Sequence, residues 1–120
     1  MLKISGNKIS LTRGDSAYIT LVINYKTKDG KEVIYDLNEG DIVRVQVRDI
    51  PNVGELIFEG HVEYMPDGEI VWHIFPYQTS NLEVKTYYYD AQLQTLNGDI
   101  FTFITSSPFK LTDEVTMPNE

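Results

Sequence analysis

Between Val84 and Ile104 apolar and polar positions alternate on both sides of Asn97-Gly98. That is the pattern of two half-buried strands joined by a tight turn. The device recurs around Lys28-Asp29-Gly30, between Ile19–Tyr25 and Val33–Leu37, and around Pro66-Asp67-Gly68, between Leu56–Tyr64 and Ile70–Ile74. A three-residue loop, a type I turn followed by a left-handed residue, suits glycine at its third position. Such loops set Tyr25 opposite Val33, Ile23 opposite Tyr35 and Leu21 opposite Leu37. They also set Tyr64 opposite Ile70, Val62 opposite Trp72, Gly60 opposite Ile74, Leu93 opposite Phe101 and Ala91 opposite Phe103. A two-residue Asn-Gly loop would instead set Gln94 against Phe101. Since a one-residue slip inverts a strand's faces, the matching of apolar positions selects the longer loop.

The rest of the chain fits the same period of two. Val43, Val45 and Val47 alternate with Arg44, Gln46 and Arg48; Ala17, Ile19, Leu21 and Ile23 alternate with Ser16, Tyr18, Thr20 and Asn24. Phe109 and Leu111 form a short last strand, and Ile4 and Ile9 belong to one or two short first strands. No segment sustains helical spacing; the stretch from Pro76 to Leu82 has room for one helical turn. The pattern predicts an all-β fold, an immunoglobulin-like antiparallel β-sandwich of about seven to nine strands. Residues 1–116 read as one domain, with 117–120 as a tail.

The 120-residue chain has no cysteine, so neither disulfides nor thiolate-bound zinc holds the fold. No apolar stretch approaches the roughly 20 residues of a membrane span, and the opening M-L-K-I-S-G-N-K lacks the apolar centre of a signal peptide. The formal net charge of −8 repels polyanions, which argues against a nucleic-acid partner.

Candidate chemistry is sparse. His61 and His73 fall opposite each other on the second hairpin, with Glu59 and Glu63 expected on the same face, and form a weak metal candidate. Asp15, Asp29, Asp41, Asp67 and Asp99 sit at or near glycines, which is turn chemistry. Asp90 lies mid-strand, where it could pair with Arg44 or Arg48 or mark a contact surface. No nucleophile elbow, phosphate loop or metal-hydrolase motif occurs, and the chain reads as non-enzymatic without a cofactor. Of eight tyrosines, Tyr87 and Tyr89 point to the core, while Tyr18, Tyr77 and Tyr88 point outward. Outward tyrosines suit ordinary strand surface, a protein interface or stacking on sugars.

Three segments, I-S-L-T-R-G-D-S-A (Ile9 to Ala17), Y-D-L-N-E-G-D (Tyr35 to Asp41) and Y-Y-Y-D-A-Q-L (Tyr87 to Leu93), occur in the order and spacing of small phage and prophage structural domains. From Ile9 to about Val115 the chain resembles the N-terminal domain of siphophage baseplate upper proteins. The resemblance implies an immunoglobulin-like sandwich and a virion component of tail or baseplate, assembled in the host cytoplasm. Its partners would be other virion proteins and further copies of itself, with neither nucleic acid nor membrane. Tyr18, Tyr88, Asp90 and Gln92, placed on one outward face, are the expected contact residues. The alternative is a carbohydrate-binding module or cell-surface adhesin domain.

Overall fold

The computed structural model describes residues 2–51 and 53–113, so the expected tail at 117–120 lies outside the described residues. Eleven strands and one helical turn follow in order: β1 (Leu2–Ser5), β2 (Lys8–Thr12), β3 (Ala17–Leu21), β4 (Asn24–Lys26), β5 (Glu32–Ile34), β6 (Ile42–Arg48), β7 (Leu56–Glu59), β8 (His61–Tyr64), β9 (Ile70–Ile74), α1 (Pro76–Thr79), β10 (Thr86–Gln94) and β11 (Ile100–Thr112). The fold is all-β. A six-stranded sheet runs β1-β2-β11-β10-β6-β7, a three-stranded sheet runs β3-β9-β8, and β4 pairs with β5 alone. All pairings are antiparallel except β2 with β11.

The three hairpin loops are of the longer kind. Gly30, Gly68 and Gly98 have φ of 84°, 92° and 90°, the left-handed region open to a residue without Cβ. In each loop this glycine N–H closes the turn, onto Thr27, Met65 and Thr95 respectively. The register follows: Tyr25 pairs with Val33, Tyr64 with Ile70, Val62 with Trp72 and Leu93 with Phe101.

Three expected pairs do not form as the sequence suggests. Ala91 lies opposite Ile104 rather than Phe103, because the ladder shifts between Ala91 and Gln92 and again between Tyr89 and Ala91, each shift adding a residue on β11. Gly60 does not pair with Ile74. The run Leu56–Tyr64 breaks there, and β7 joins the six-stranded sheet while β8 joins the three-stranded one. Leu21 does not pair with Leu37, because β3 bonds to β9 and the β4–β5 ladder ends near Asn24, where the Tyr35 N–H donates to the Ile23 carbonyl at 2.7 Å. These breaks, with the fold-back of β1 onto β2, account for more and shorter strands than the hydrophobic runs imply.

The two larger sheets pack face to face. The Trp72 ring, fully buried on β9, sits 5.3 Å from Tyr89 on β10 and 5.8 Å from Phe109 on β11. Ala17, Ile19 and Leu21 join from β3, and Val43, Val45 and Val47 from β6. Burying a side chain of this size stabilises by about 1.5–3 kcal/mol, so the alternation of each strand is what holds the layers together. The helical turn starts with Pro76, whose missing N–H costs nothing at a first helical position. It positions Thr79, fully buried, to accept the Gly14 N–H at 2.8 Å.

Candidate functional site

Two outward surfaces carry the residues singled out from the sequence, and a third carries others. On the six-stranded sheet, β10 presents Tyr88, Asp90 and Gln92 beside Arg48, Gln46 and Arg44 of β6. Asp90 is the residue at which the β10–β11 ladder is interrupted. It forms no ion pair with either arginine: Arg48 donates to the Gly54 carbonyl at 2.9 Å and to Gln46 Oε1 at 2.7 Å, and Arg44 lies 3.7 Å from Glu59. Desolvation therefore raises the Asp90 pKa, with the Arg48 charge pulling it part of the way back.

Tyr18 is on the other layer. It lies on β3 opposite His73, on the outside of the three-stranded sheet, and so does not share a face with Tyr88, Asp90 and Gln92. The reason is topological: β3 and β10 belong to sheets whose inner faces meet, so their outer faces point in opposite directions. Tyr18 instead heads a column of rings. Its ring stacks on His73 at 4.1 Å, His73 lies 3.9 Å from Phe75, and Phe75 stacks on Tyr77 at 5.6 Å. Tyr18 and Tyr77 at the two ends are 64% and 73% exposed.

His61 and His73 pair as expected, with ring centroids 6.3 Å apart. Glu63 Oε2 lies 2.9 Å from His73 Nδ1 and 3.5 Å from His61 Nε2, so one carboxylate oxygen serves both imidazoles. Glu59 is not with them, because the strand switch at Gly60 carries it to the other sheet, beside Arg44. Among the described residues no group of three or more His, Cys, Asp or Glu side chains is arranged to hold a metal ion.

The glycine-associated aspartates act in turns. Asp41 Oδ2 accepts from the Asn38 N–H at 2.9 Å and the Tyr35 hydroxyl at 2.7 Å, which raises the tyrosine pKa. Asp67 Oδ1 accepts from the Glu69 N–H at 3.0 Å, a bond that lowers the Asp67 pKa.

The third surface was not legible as one. At one end of the molecule the β10–β11 hairpin exposes Leu96, Ile100 and Phe101, and β4 and β5 expose Tyr25 and Ile34. A groove of about 480 Å³ runs between these hairpins, with Tyr25 and Tyr35 on one side and Phe101 and Phe103 on the other. Phe101 occupies an inward register position opposite Leu93 yet is 56% exposed. Its only sequence signal was its place next to the turn, where a long hairpin outruns the layer it packs on.

No protein-family model matches the chain, and no curated protein matches its sequence significantly.

Proposed function

We propose that this protein is a non-enzymatic docking domain, an immunoglobulin-like sandwich serving as a structural or adaptor component of a phage or prophage tail or baseplate. The strand order supports the fold reading. The set β2-β11-β10-β6-β7 opposite β3-β9-β8 has the arrangement of an immunoglobulin C-F-G sheet, extended at both edges, over a B-E-D sheet. Tyr87 adds to it: near the start of β10, its hydroxyl donates to the Glu83 carbonyl at 2.8 Å, the bond of a tyrosine corner.

The observation that carries docking is the apolar end. Leu96, Ile100 and Phe101 of one hairpin are each more than half exposed, and Phe101 lines a groove with Tyr25, Tyr35 and Phe103. Exposed apolar side chains beside an apolar groove mark interaction sites. The virion assignment rests on the three-segment resemblance. It is tested by purifying phage particles from a producing culture and identifying their proteins by mass spectrometry. The chain should co-purify with particles, and a Phe101→Asp variant should be incorporated less; its absence from the particles refutes the assignment. Assembly with further copies should appear as a rise of mass with concentration in light scattering, and a constant monomer mass refutes that part.

A carbohydrate-binding role has weaker support. Sugar platforms need ring faces lying open and side by side. Here the His73 ring lies 4.1 Å from Tyr18 and 3.9 Å from Phe75, and its side chain is only 13% exposed, so it offers no open platform.

A further inference from the structure

The hydrogen bonds of the turns determine which way each backbone group points. In the second hairpin the Met65 N–H donates to the Glu69 carbonyl. Bonded and non-bonded pairs alternate along an antiparallel ladder. Glu63–Val71 and His61–His73 are therefore bonded pairs, and Ile70, Trp72 and Ile74 turn their N–H and C=O toward β3. Their partners there are Leu21, Ile19 and Ala17, so Tyr18 and Thr20 point theirs away from the sheet. The same count, from Thr27 to Lys31 and from Tyr35 to Ile23, leaves Asn24 and Lys26 pointing away from β5. Among the described residues, the outer edge of β3 and β4 is thus an unpaired row of donors and acceptors.

A second unpaired edge faces it. β2 covers β11 only from Phe109 to Thr112. The bond from the Thr95 N–H to the Asp99 carbonyl makes Leu93–Phe101 a bonded pair, which leaves Ile100 and Thr102 pointing away from β10. Between the two edges lie two adjoining grooves of about 430 and 480 Å³, both bordered by Asn24 and Phe103. Among the described residues neither is lined by a charged one, in a chain that is 23% charged.

We propose that this cleft receives an extended strand from a partner protein, uncharged and apolar at alternate positions, that pairs with the free edge of β3–β4. The inference rests on the docking reading above and names its site. In a constant-type immunoglobulin sandwich the sheet opposite C-F-G has four strands, A-B-E-D. Here the corresponding sheet has three, and the open place is the one beside β3. The strand that could reach it, β1, folds back on β2 instead. Strand addition would supply main-chain bonds along Thr20 and Asn24, while alternate side chains enter the two grooves. The uncharged lining penalises a charged side chain, which would be desolvated there without a partner. A second copy of this chain is a poor occupant. Its uncharged edge strand, β3, is already bonded to β9 and cannot enter a cleft walled on both sides.

The test is an NMR titration of the full chain with a capped, uncharged Ser-Thr-Val-Thr-Val-Thr-Ser peptide. Backbone amide shifts should change along residues 18–26 and 100–106 and at the groove-lining Ile4, Ile9, Tyr89 and Leu93, and nowhere else on the sheets. Hydrogen exchange at the Thr20 and Asn24 amides should slow at least about tenfold at saturation. A Thr20→Pro variant removes an N–H that faces out of the sheet, which an edge strand tolerates, and should weaken binding at least about tenfold. The same peptide N-methylated along one edge should lose binding to the unaltered protein, so the result does not hang on the variant folding. Shifts located elsewhere, equal binding of the methylated peptide, or no shift at millimolar peptide overturns the inference. A concentration-dependent dimer that protects Thr20 and Asn24 without peptide overturns the choice of partner. The docking reading is judged separately, by whether Phe101→Asp reduces incorporation into particles.

Discussion

Gly60 is the residue at which the chain leaves one sheet for the other, and its N–H donates to the Val45 carbonyl at 2.7 Å. A Cβ there would lie 2.7 Å from Trp72 Nε1, 2.9 Å from Val45 Cβ and 3.1 Å from Trp72 Cδ1. Carbon contacts are optimal at about 3.5–4.0 Å, so the neighbours would have to retreat by roughly 0.8 Å. Both are fully buried in the centre of the core, where packing density leaves nowhere to go. Overpacking of this kind costs about 1–3 kcal/mol. Replacing glycine by alanine returns about 0.4–1 kcal/mol by restricting the unfolded chain. Gly60→Ala should therefore destabilise by about 1–2 kcal/mol, lowering Tm by about 4–8 °C for a domain of this size. Urea unfolding should show a lower midpoint at unchanged slope. Trp72→Phe removes the nearest atom, so in the double variant the two costs should fall short of their sum by at least about 0.5 kcal/mol. A Gly60→Ala protein with the parent Tm, or strict additivity with Trp72→Phe, refutes the close-approach reasoning.

Burial holds the Asp90 carboxyl above its ordinary value of 3.8, so the folded state binds that proton more tightly than the unfolded state. Its ionisation lowers stability as pH rises from about 3.8 through the folded pKa; Asp90→Asn should raise Tm at pH 7 and give no gain at pH 3, and an equal gain at both refutes this. The Tyr89 phenol, buried and donating to the Asn7 carbonyl, is pushed up to about 12 from 10.0 by desolvation. Its stabilising share is complete below pH 10 and is lost as pH rises through 12, so Tyr89→Phe should flatten the decline in stability over that interval while costing about 1 kcal/mol at neutral pH. Thr79→Val orphans the Gly14 N–H and should cost about 1–3 kcal/mol by chemical denaturation, with Thr79→Ser nearly neutral; equal losses in the two variants would show that the hydroxyl is irrelevant.

Period-two alternation and glycine at the third loop position were enough to read three hairpins, their register near the turns, and the buried residues Trp72, Tyr87, Tyr89 and the valines of β6. Those are local properties: a pleated backbone sends alternate side chains to opposite faces, and a left-handed position excludes most residues. The candidate site was less legible. His61, His73 and Glu63 were placed together by register, but Glu59 was wrongly placed with them, because nothing in Leu56–Tyr64 except one glycine announces a change of sheet.

What the sequence determined by itself, then, is which residues pair across a turn and which faces turn inward. Tertiary structure alone decided which sheet each strand joins, so it alone separated Tyr18 from Tyr88, Asp90 and Gln92. It alone left Phe101 without a layer to pack on and two strand edges facing each other across a cleft. The physical reason is that side-chain alternation specifies a face but not a neighbour, and the neighbour is chosen by how the layers fit around Trp72.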